Sequence, residues 1–219
     1  MVGGFLIRII AVIISAVFVI ASWITTGTPD TGFLRFFSIA VLVASIALTV
    51  WDKWVWKFGI AQRIPGVVRD VSGTWETQLE SFWIDPATKE RTPIKTVYIV
   101  IRQTSSRASV TLISNESKSK SSMARVIEED GSWVLHYTYT NEPDVTVSHR
   151  SPIHHGSGVL SIVGNPAKRL AGSYWTDRET KGKLTLRQRS NKLAEDFPDG
   201  EQLFGRQPGD RTRDVSLLT

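Results

Sequence analysis

The chain has 219 residues, a formal net charge of +5 and no cysteine. The lack of cysteine excludes disulfides, thiolate metal sites and cysteine nucleophiles, and it fits a reducing compartment. The modest positive charge favours an anionic partner, such as lipid head groups, phosphate or nucleic acid, without choosing among them.

The first sixty residues are mostly large and apolar, and they contain two uncharged runs, at 9–26 and 36–51. At 1.5 Å rise per residue, about 18 residues cover most of the roughly 30 Å hydrocarbon core of a bilayer. A short segment at 27–32, rich in Gly, Pro and Asp, separates the runs and favours a turn. The sequence therefore predicts a transmembrane hairpin. A cleaved signal peptide is the alternative for the first run, but the second run favours an anchor.

Basic residues flank the predicted hairpin on one side. Arg8 precedes the first run, and Lys53, Lys57, Arg63 and Arg69 follow the second. The positive-inside rule then predicts that both termini face the cytoplasm. Neither run carries an ionisable residue at its centre, so a single hairpin offers no proton or ion path. An effect on the membrane would need oligomerisation or disturbance of the lipid.

After a juxtamembrane connector at 54–71, the side chains alternate with a period of two. Trp75, Thr77 and Leu79 face one way, for example, and the polar residues between them face the other. This pattern predicts eight strands, at residues 73–84, 94–104, 107–114, 119–128, 132–140, 158–163, 169–176 and 183–189. Closure into a barrel would remove exposed sheet edges, and an eight-stranded barrel is filled by side chains or holds one small ligand.

The predicted fold is a membrane-anchored all-β protein, in which a two-helix transmembrane hairpin precedes a small antiparallel eight-stranded β-barrel. The C-terminal residues are rich in charge, Pro and Gly, which predicts a loosely ordered tail. The four predicted segments are the hairpin at 1–53, the connector at 54–71, the ligand-binding barrel at 72–190 and the tail at 191–219.

Two apolar helices followed at once by a β-rich domain that opens Gly73-Thr74-Trp75-Glu76 resemble a bacterial immune effector family. This family comprises the two-transmembrane, β-strand-rich effectors of cyclic-oligonucleotide-based anti-phage signalling (CBASS). The resemblance lies in the order and length of the segments and covers nearly the whole chain. It implies a minimal β-barrel that binds a cyclic dinucleotide made by a partner cyclic nucleotide synthase. It also implies that binding drives homo-oligomerisation, disruption of the bacterial inner membrane and cell death.

A cyclic dinucleotide presents two phosphates and two bases, which arginine forks and aromatic faces recognise well. Five residues of these types are therefore predicted to bind the ligand: Arg102, Tyr98, Tyr137, Tyr139 and Arg125. Arg102 is the first choice, because it shares a strand face with Tyr98. For each aromatic residue the alternative is ordinary barrel core, and for each arginine it is a solvated strand face.

Catalytic and metal-binding patterns are missing from the sequence. His149, His154 and His155 lie among Pro, Gly and Ser residues, which predicts a loop rather than a metal site. No phosphate loop, nucleophile elbow or catalytic carboxylate pair is present. We therefore expect no enzyme activity, no metal, no cofactor and no DNA or RNA partner. Two other functions stay open: a membrane-tethered lipocalin-like barrel that binds a lipid or another apolar small molecule, and a membrane scaffold whose barrel is filled.

Overall fold

The computed structural model describes residues 11–12, 14–16, 18–20, 22–24, 27, 31–85, 88–146 and 152–205. These residues belong to two compact units, Met1–Val55 and Trp56–Thr219. Each unit is considered by itself.

In the first unit, the described residues between 11 and 24 are helical, and helix α1 spans Thr31–Lys53. The hydroxyls of Ser15, Ser45 and Thr49 each donate to the carbonyl oxygen four residues earlier, at 2.8 Å. Such bonds satisfy a polar side chain without water. Within the part of the chain that the structure describes, no helix combines the length and apolar character needed to cross a membrane. The transmembrane hairpin stays a prediction.

The second unit is a closed barrel of eight antiparallel strands in sequence order, with β1 also paired to β8. This confirms the predicted barrel. The strands are β1 Gly73–Ser81, β2 Lys95–Gln103, β3 Ala108–Ile113, β4 Ser117–Glu129, β5 Ser132–Pro143, β6 His154–Val163, β7 Arg169–Thr176 and β8 Lys181–Ser190.

The largest difference from the predicted boundaries is at the start of β6. His154 and His155, predicted to lie in a loop, pair with Asn141 and Thr140 of β5. The glycines that follow them suggested a turn, but they lie in the strand, where they leave space for aromatic rings of β5. Glycine in a strand marks close approach as often as it marks a bend.

The barrel core is formed by inward-facing aliphatic residues around Trp75. Trp75, Ile99, Leu135, Leu160 and Leu186 are each fully buried within one cluster. The face that carries Trp75 in the alternating pattern is therefore the inner one. The Trp75 indole Nε1 donates to the Val71 carbonyl oxygen at 2.8 Å, so that the ring is held from the end of the barrel where β1 begins.

We call that end, where the chain enters β1 and leaves β8, the floor. It is closed by residues 56–72, the floor segment, which contains the 3₁₀ turn Ala61–Arg63. Gln62 is 5% exposed, and its amide nitrogen donates to the carbonyl oxygens of Trp56, at 2.8 Å, and Val68, at 2.9 Å. Its amide oxygen accepts from the Asp70 backbone, and its own carbonyl accepts from the Asn165 side chain.

A second set of bonds ties the floor segment to β8. The Arg189 guanidinium forms an ion pair with the Asp70 carboxylate, at 2.6 Å, with both side chains about five-sixths buried. The same guanidinium donates to the Ser72 carbonyl oxygen at 2.7 Å and lies over the Trp75 ring. The floor segment is therefore a bonded part of the barrel domain rather than a loose linker.

A short helix, α2 at Phe197–Leu203, covers the outer face of β2. The Asp196 side chain caps its first turn by accepting from the Asp199 backbone. The rings of Phe197 and Phe204 lie 5.3 and 5.8 Å from that of Tyr98. The sequence predicts a loosely ordered tail from residue 191 onwards. Up to residue 205 the structure is ordered instead, because Phe197 and Phe204 pack against Tyr98 of β2. Residues 206–219 lie outside the described part of the chain.

Candidate functional site at the mouth of the barrel

The end of the barrel opposite the floor, which we call the mouth, opens into an interior cavity of about 210 Å³. The connections β1–β2, β3–β4, β5–β6 and β7–β8 all lie at this end, as the antiparallel strand order requires. The deeper walls are apolar, and the rim is polar. The apolar walls are Leu79, Val97, Val110, Leu112 and Leu184, and the polar rim includes Lys95, Ser114, Glu116, Ser117, Ser119, Asn141, His154, Thr176 and Thr180.

Two tyrosines of β5 form one wall of this cavity. Tyr137 and Tyr139 lie two residues apart, and their ring centroids are 5.8 Å from each other. Each faces a glycine on β6, Tyr137 opposite Gly158 and Tyr139 opposite Gly156. A Cβ at Gly156 would lie 2.5 Å from the Tyr139 ring, and one at Gly158 would overlap the Tyr137 ring. The glycines therefore let both rings lie flat against the barrel wall and keep the cavity open.

Tyr174 of β7 completes the aromatic wall. It pairs with Gly182 of β8, and a Cβ at that glycine would lie 2.7 Å from the Tyr174 ring. Its hydroxyl is hydrogen bonded to Ser81, the last residue of β1. Tyr174 and its neighbour Trp175 face opposite sides of the strand, as the sequence predicts, and it is Tyr174 that enters the cavity.

Burial keeps the cavity tyrosines protonated. It raises the pKa of Tyr137, Tyr139 and Tyr174 because the anionic form would lose its hydration, and the neighbouring phenols add to the effect at Tyr137. The hydroxyls of Tyr137 and Tyr139 form no hydrogen bond with any residue that the structure describes. The wall thus presents two neutral O–H donors to the cavity.

An asparagine adds a further donor at the rim. Asn141 is 6% exposed, and its side-chain oxygen accepts from the Ser119 hydroxyl at 2.8 Å. With the Asn141 oxygen bonded to Ser119, the Asn141 amide nitrogen has no acceptor among the described residues. A ligand with phosphate or carbonyl oxygens could therefore receive hydrogen bonds from Asn141 and both phenols, which would offset the cost of burying those donors.

The charges at the rim are balanced. Lys95 lies 3.4 Å from the Glu116 carboxylate, with side chains 44% and 38% exposed. A pair this exposed contributes little to stability, so Lys95 can turn towards an anionic ligand at small cost.

The structure brings two of the five predicted ligand residues into the cavity, Tyr137 and Tyr139. The other three lie on the outer surface of the barrel. Arg102 and Arg125 are exposed on outward-facing positions of β2 and β4. Tyr98 does share a face with Arg102, but that face is the outer one, and α2 covers Tyr98. This face does not line the cavity, because Val97 and Ile99 are the inward residues of β2.

Sequence reasoning missed Tyr174, Asn141, Ser119 and Lys95 as cavity residues. One signal was available, since the pattern Tyr-x-Tyr in β5 lies opposite Gly-x-Gly in β6. Large aromatic residues opposite glycines on one face of a barrel indicate rings that lie along the wall. No comparable pattern distinguishes the rim residues, because polar side chains at strand ends are common everywhere.

Over the described residues, no group of three or more His, Asp or Glu side chains could hold a metal ion. His154 lies at the rim with its Nδ1 3.1 Å from the Pro152 carbonyl oxygen, whereas His149 falls outside the described part of the chain.

Comparison with known proteins places the barrel in a family. A family model described as the Cap15 cyclic dinucleotide receptor domain matches residues 67–188, from the floor segment to β8. CD-NTase-associated protein 15 of Staphylococcus schleiferi is 33% identical over 156 residues, which are 71% of this chain and 80% of that protein.

Proposed function

The chain belongs to the family of Cap15 cyclic dinucleotide receptors, and we propose that it binds its ligand in the cavity at the mouth of the barrel. Family membership confirms the resemblance to CBASS effectors that the order of segments indicated. The chain is an effector of CBASS anti-phage defence that responds to a cyclic dinucleotide. We propose that it acts by binding alone and catalyses no reaction.

The donors around the cavity support this position for the ligand. Tyr137, Tyr139 and Asn141 line the cavity with donors that have no protein acceptor, and Lys95 lines it with a cation. Together they match the acceptor atoms of bases and phosphates. The apolar walls suit the flat faces of a base, since every base is largely apolar above and below its ring.

The two other functions considered from the sequence are less well supported. A scaffold with a filled barrel does not fit a barrel with an interior cavity of about 210 Å³. A lipid-binding barrel would be served by the apolar walls, but it gives no role to the buried donors at Asn141 and the tyrosines.

We further propose that residues 1–53 anchor the chain in the bacterial inner membrane as a two-helix hairpin, with both termini and the barrel in the cytoplasm. The uncharged runs at 9–26 and 36–51 and the basic residues beyond them support this orientation. Ligand binding would then drive homo-oligomerisation, and the assembled N-terminal segments would disrupt the bilayer. Dye release from vesicles that contain the full chain, measured with and without ligand, tests this step.

The ligand site is tested by calorimetric titration of the full chain in detergent with a panel of cyclic dinucleotides. Tyr137→Phe removes one donor, and a hydrogen bond to a charged group contributes about 1.5–3 kcal/mol, so the Kd should rise about tenfold or more. Arg102→Ala is the matched control, because Arg102 is exposed on the outer face, and its Kd should be unchanged. Binding lost in Arg102→Ala but kept in Tyr137→Phe would place the site elsewhere. No binding of any member would refute the proposal.

A further inference from the structure

The cavity at the mouth cannot enclose a whole cyclic dinucleotide. Its volume is about 210 Å³, below the roughly 300–1,000 Å³ of pockets that enclose drug-sized ligands. A cyclic dinucleotide carries two bases on a ring of two sugars and two phosphates. When one base occupies the cavity, the other lies outside the rim and needs a separate surface.

Trp83 lies two residues beyond the end of β1, in the β1–β2 connection at the mouth end of the barrel. Leu79 lines the cavity, and Ser81 is bonded to the cavity residue Tyr174, so both face the barrel interior. Trp83 occupies the next position of this alternation. Its backbone nitrogen donates to the Ser81 hydroxyl oxygen at 3.3 Å, and its carbonyl accepts from the Thr92 backbone at 3.5 Å. The backbone that carries the indole is thus bonded to the end of β1 and to the returning arm of the β1–β2 connection.

The preceding residue, Phe82, shows which side of this segment faces outwards. Phe82 follows the outer face of the barrel, where the Lys183 ammonium lies 5.9 Å from the centre of its ring. Lys183 is exposed and alternates with the buried residues Gly182 and Leu184 of β8. The backbone of Phe82 still pairs with β8, since its N–H donates to the Lys181 carbonyl oxygen at 2.8 Å. Because consecutive residues of a paired strand point to opposite sides, Trp83 is directed away from the outer face that Phe82 follows.

The Trp83 indole is an aromatic surface that the protein leaves uncovered. It is 45% exposed, although tryptophan is normally among the most buried residues. An indole offers a flat face on which any nucleobase can stack. A half-exposed indole beside the mouth of a nucleotide site has the size, position and chemistry that the second base requires.

We propose that Trp83 forms a second base-binding subsite, on which the base that projects from the cavity stacks. This inference rests on the proposed ligand site at the mouth. It assigns the two bases to two different environments, one enclosed by tyrosines and aliphatic residues and one open on an indole.

The test is the Kd of the full chain in detergent for the tightest-binding member of the cyclic dinucleotide panel, measured by calorimetry. Trp83→Ala should weaken binding by roughly 5- to 150-fold, the range expected when one stacked base loses its aromatic partner. Trp83→Phe, which keeps a ring, should restore most of the affinity. Trp83→Ile, which is apolar but has no ring, should bind nearly as weakly as Trp83→Ala.

Trp175→Ala is the matched control. Trp175 is 49% exposed and lies on the outer wall beside Met123 and His136, away from the cavity. The Trp175→Ala variant should bind the ligand with the same Kd as the natural chain. Melting temperatures of all four unliganded variants should stay within a few degrees of the natural chain, because both indoles are half-exposed.

The outcomes separate the subsite from the site itself. If the natural chain binds and Trp83→Ala binds equally well, the subsite is refuted while the cavity proposal stands. If Trp83→Ile restores binding as well as Trp83→Phe, the residue supplies apolar contact rather than stacking, and the inference is again wrong. If the natural chain binds no cyclic dinucleotide, the cavity proposal fails and the subsite fails with it.

Discussion

The two ends of the barrel treat their polar groups in opposite ways. At the floor, the Gln62 amide donates to backbone carbonyl oxygens of the same domain. The Arg189 guanidinium there donates to the Asp70 carboxylate. At the mouth, Tyr137 is buried and Tyr139 is partly buried, and their hydroxyls bond to no residue that the structure describes. Donors inside a cavity that have no protein partner are available to hydrogen bond with a ligand.

The comparison also separates stability from binding. Substitutions at the floor should lower the free energy of unfolding and leave the intrinsic affinity of the mouth unchanged. Substitutions at the mouth should lower affinity at a smaller cost in stability. Four experiments test this division, from the largest expected effect to the smallest.

Gln62→Ala should be the most damaging change. It removes two donors to buried carbonyl oxygens and the acceptor of the Asp70 amide, and the orphaned groups cost about 3 kcal/mol in total. Urea denaturation measures the loss. Gln78→Ala, at an exposed position of β1, is the control and should change stability by less than about 0.5 kcal/mol. Equal effects of the two variants would show that the floor network adds no stability.

Gly158→Ala should push the Tyr137 ring into the cavity and so reduce the space for a ligand. Its Cβ would overlap the Tyr137 ring, which can escape only by turning into the cavity. We expect at least tenfold weaker ligand binding and a loss of about 1–3 kcal/mol of stability from overpacking. In Gly59→Ala the new Cβ meets no atom within 4 Å, and neither quantity should change much. Full affinity in Gly158→Ala would mean that the ligand does not use this cavity.

The raised pKa of the buried tyrosines predicts a loss of stability in alkali. Below about pH 10, the usual tyrosine pKa, these phenols are protonated in both the folded and the unfolded chain, so their contribution is fully present. Above it the unfolded chain releases protons that the folded chain retains, and each such tyrosine destabilises the fold by up to about 1.4 kcal/mol per pH unit. Urea midpoints at pH 9, 10 and 11 should therefore fall less steeply in Tyr137→Phe than in the natural chain. Parallel slopes would contradict burial of this phenol.

Lys95→Gln should have the smallest effect. It removes the rim cation and should weaken the binding of an anionic ligand about fivefold at low salt, with less effect as salt increases. Lys120→Gln is the control, because Lys120 forms a similar exposed pair with Glu142 at 2.9 Å but does not line the cavity. A similar loss in both variants would indicate general attraction by net charge instead of contact at the rim.

The strands of the barrel could be predicted because most of them alternate clearly between apolar and polar residues. The inward face of β2 could not, because both of its faces are apolar. Val97 and Ile99 face the interior, whereas Tyr98 and Val100 are buried outside under α2. Helix α2 itself spans seven residues, too few for a helical pattern, and it depends on packing against Tyr98. For this reason the sequence places Arg102 and Tyr98 on one face of β2 but does not reveal that this face lies outside the cavity.

Residues of the site could be predicted only where the residue type itself suited the ligand. Tyr137 and Tyr139 were found because paired tyrosines on one strand suit a nucleotide. Lys95, Ser119 and Asn141 depend on how neighbouring strands come together at the rim, which a single sequence does not reveal. Glycines opposite tyrosines are the one pattern that could have extended the prediction to Tyr174.

The barrel has an even number of strands, so the chain enters and leaves at the same end. Everything at the other end is then a hairpin connection, bounded on both sides by strands that are already paired. Evolution can lengthen, shorten or replace such a connection without disturbing the terminal segments or the order of the sheet. A lineage exposed to phages that evade one signalling nucleotide could acquire preference for another through these connections alone, while the segments that precede β1 and follow β8 stay as they were.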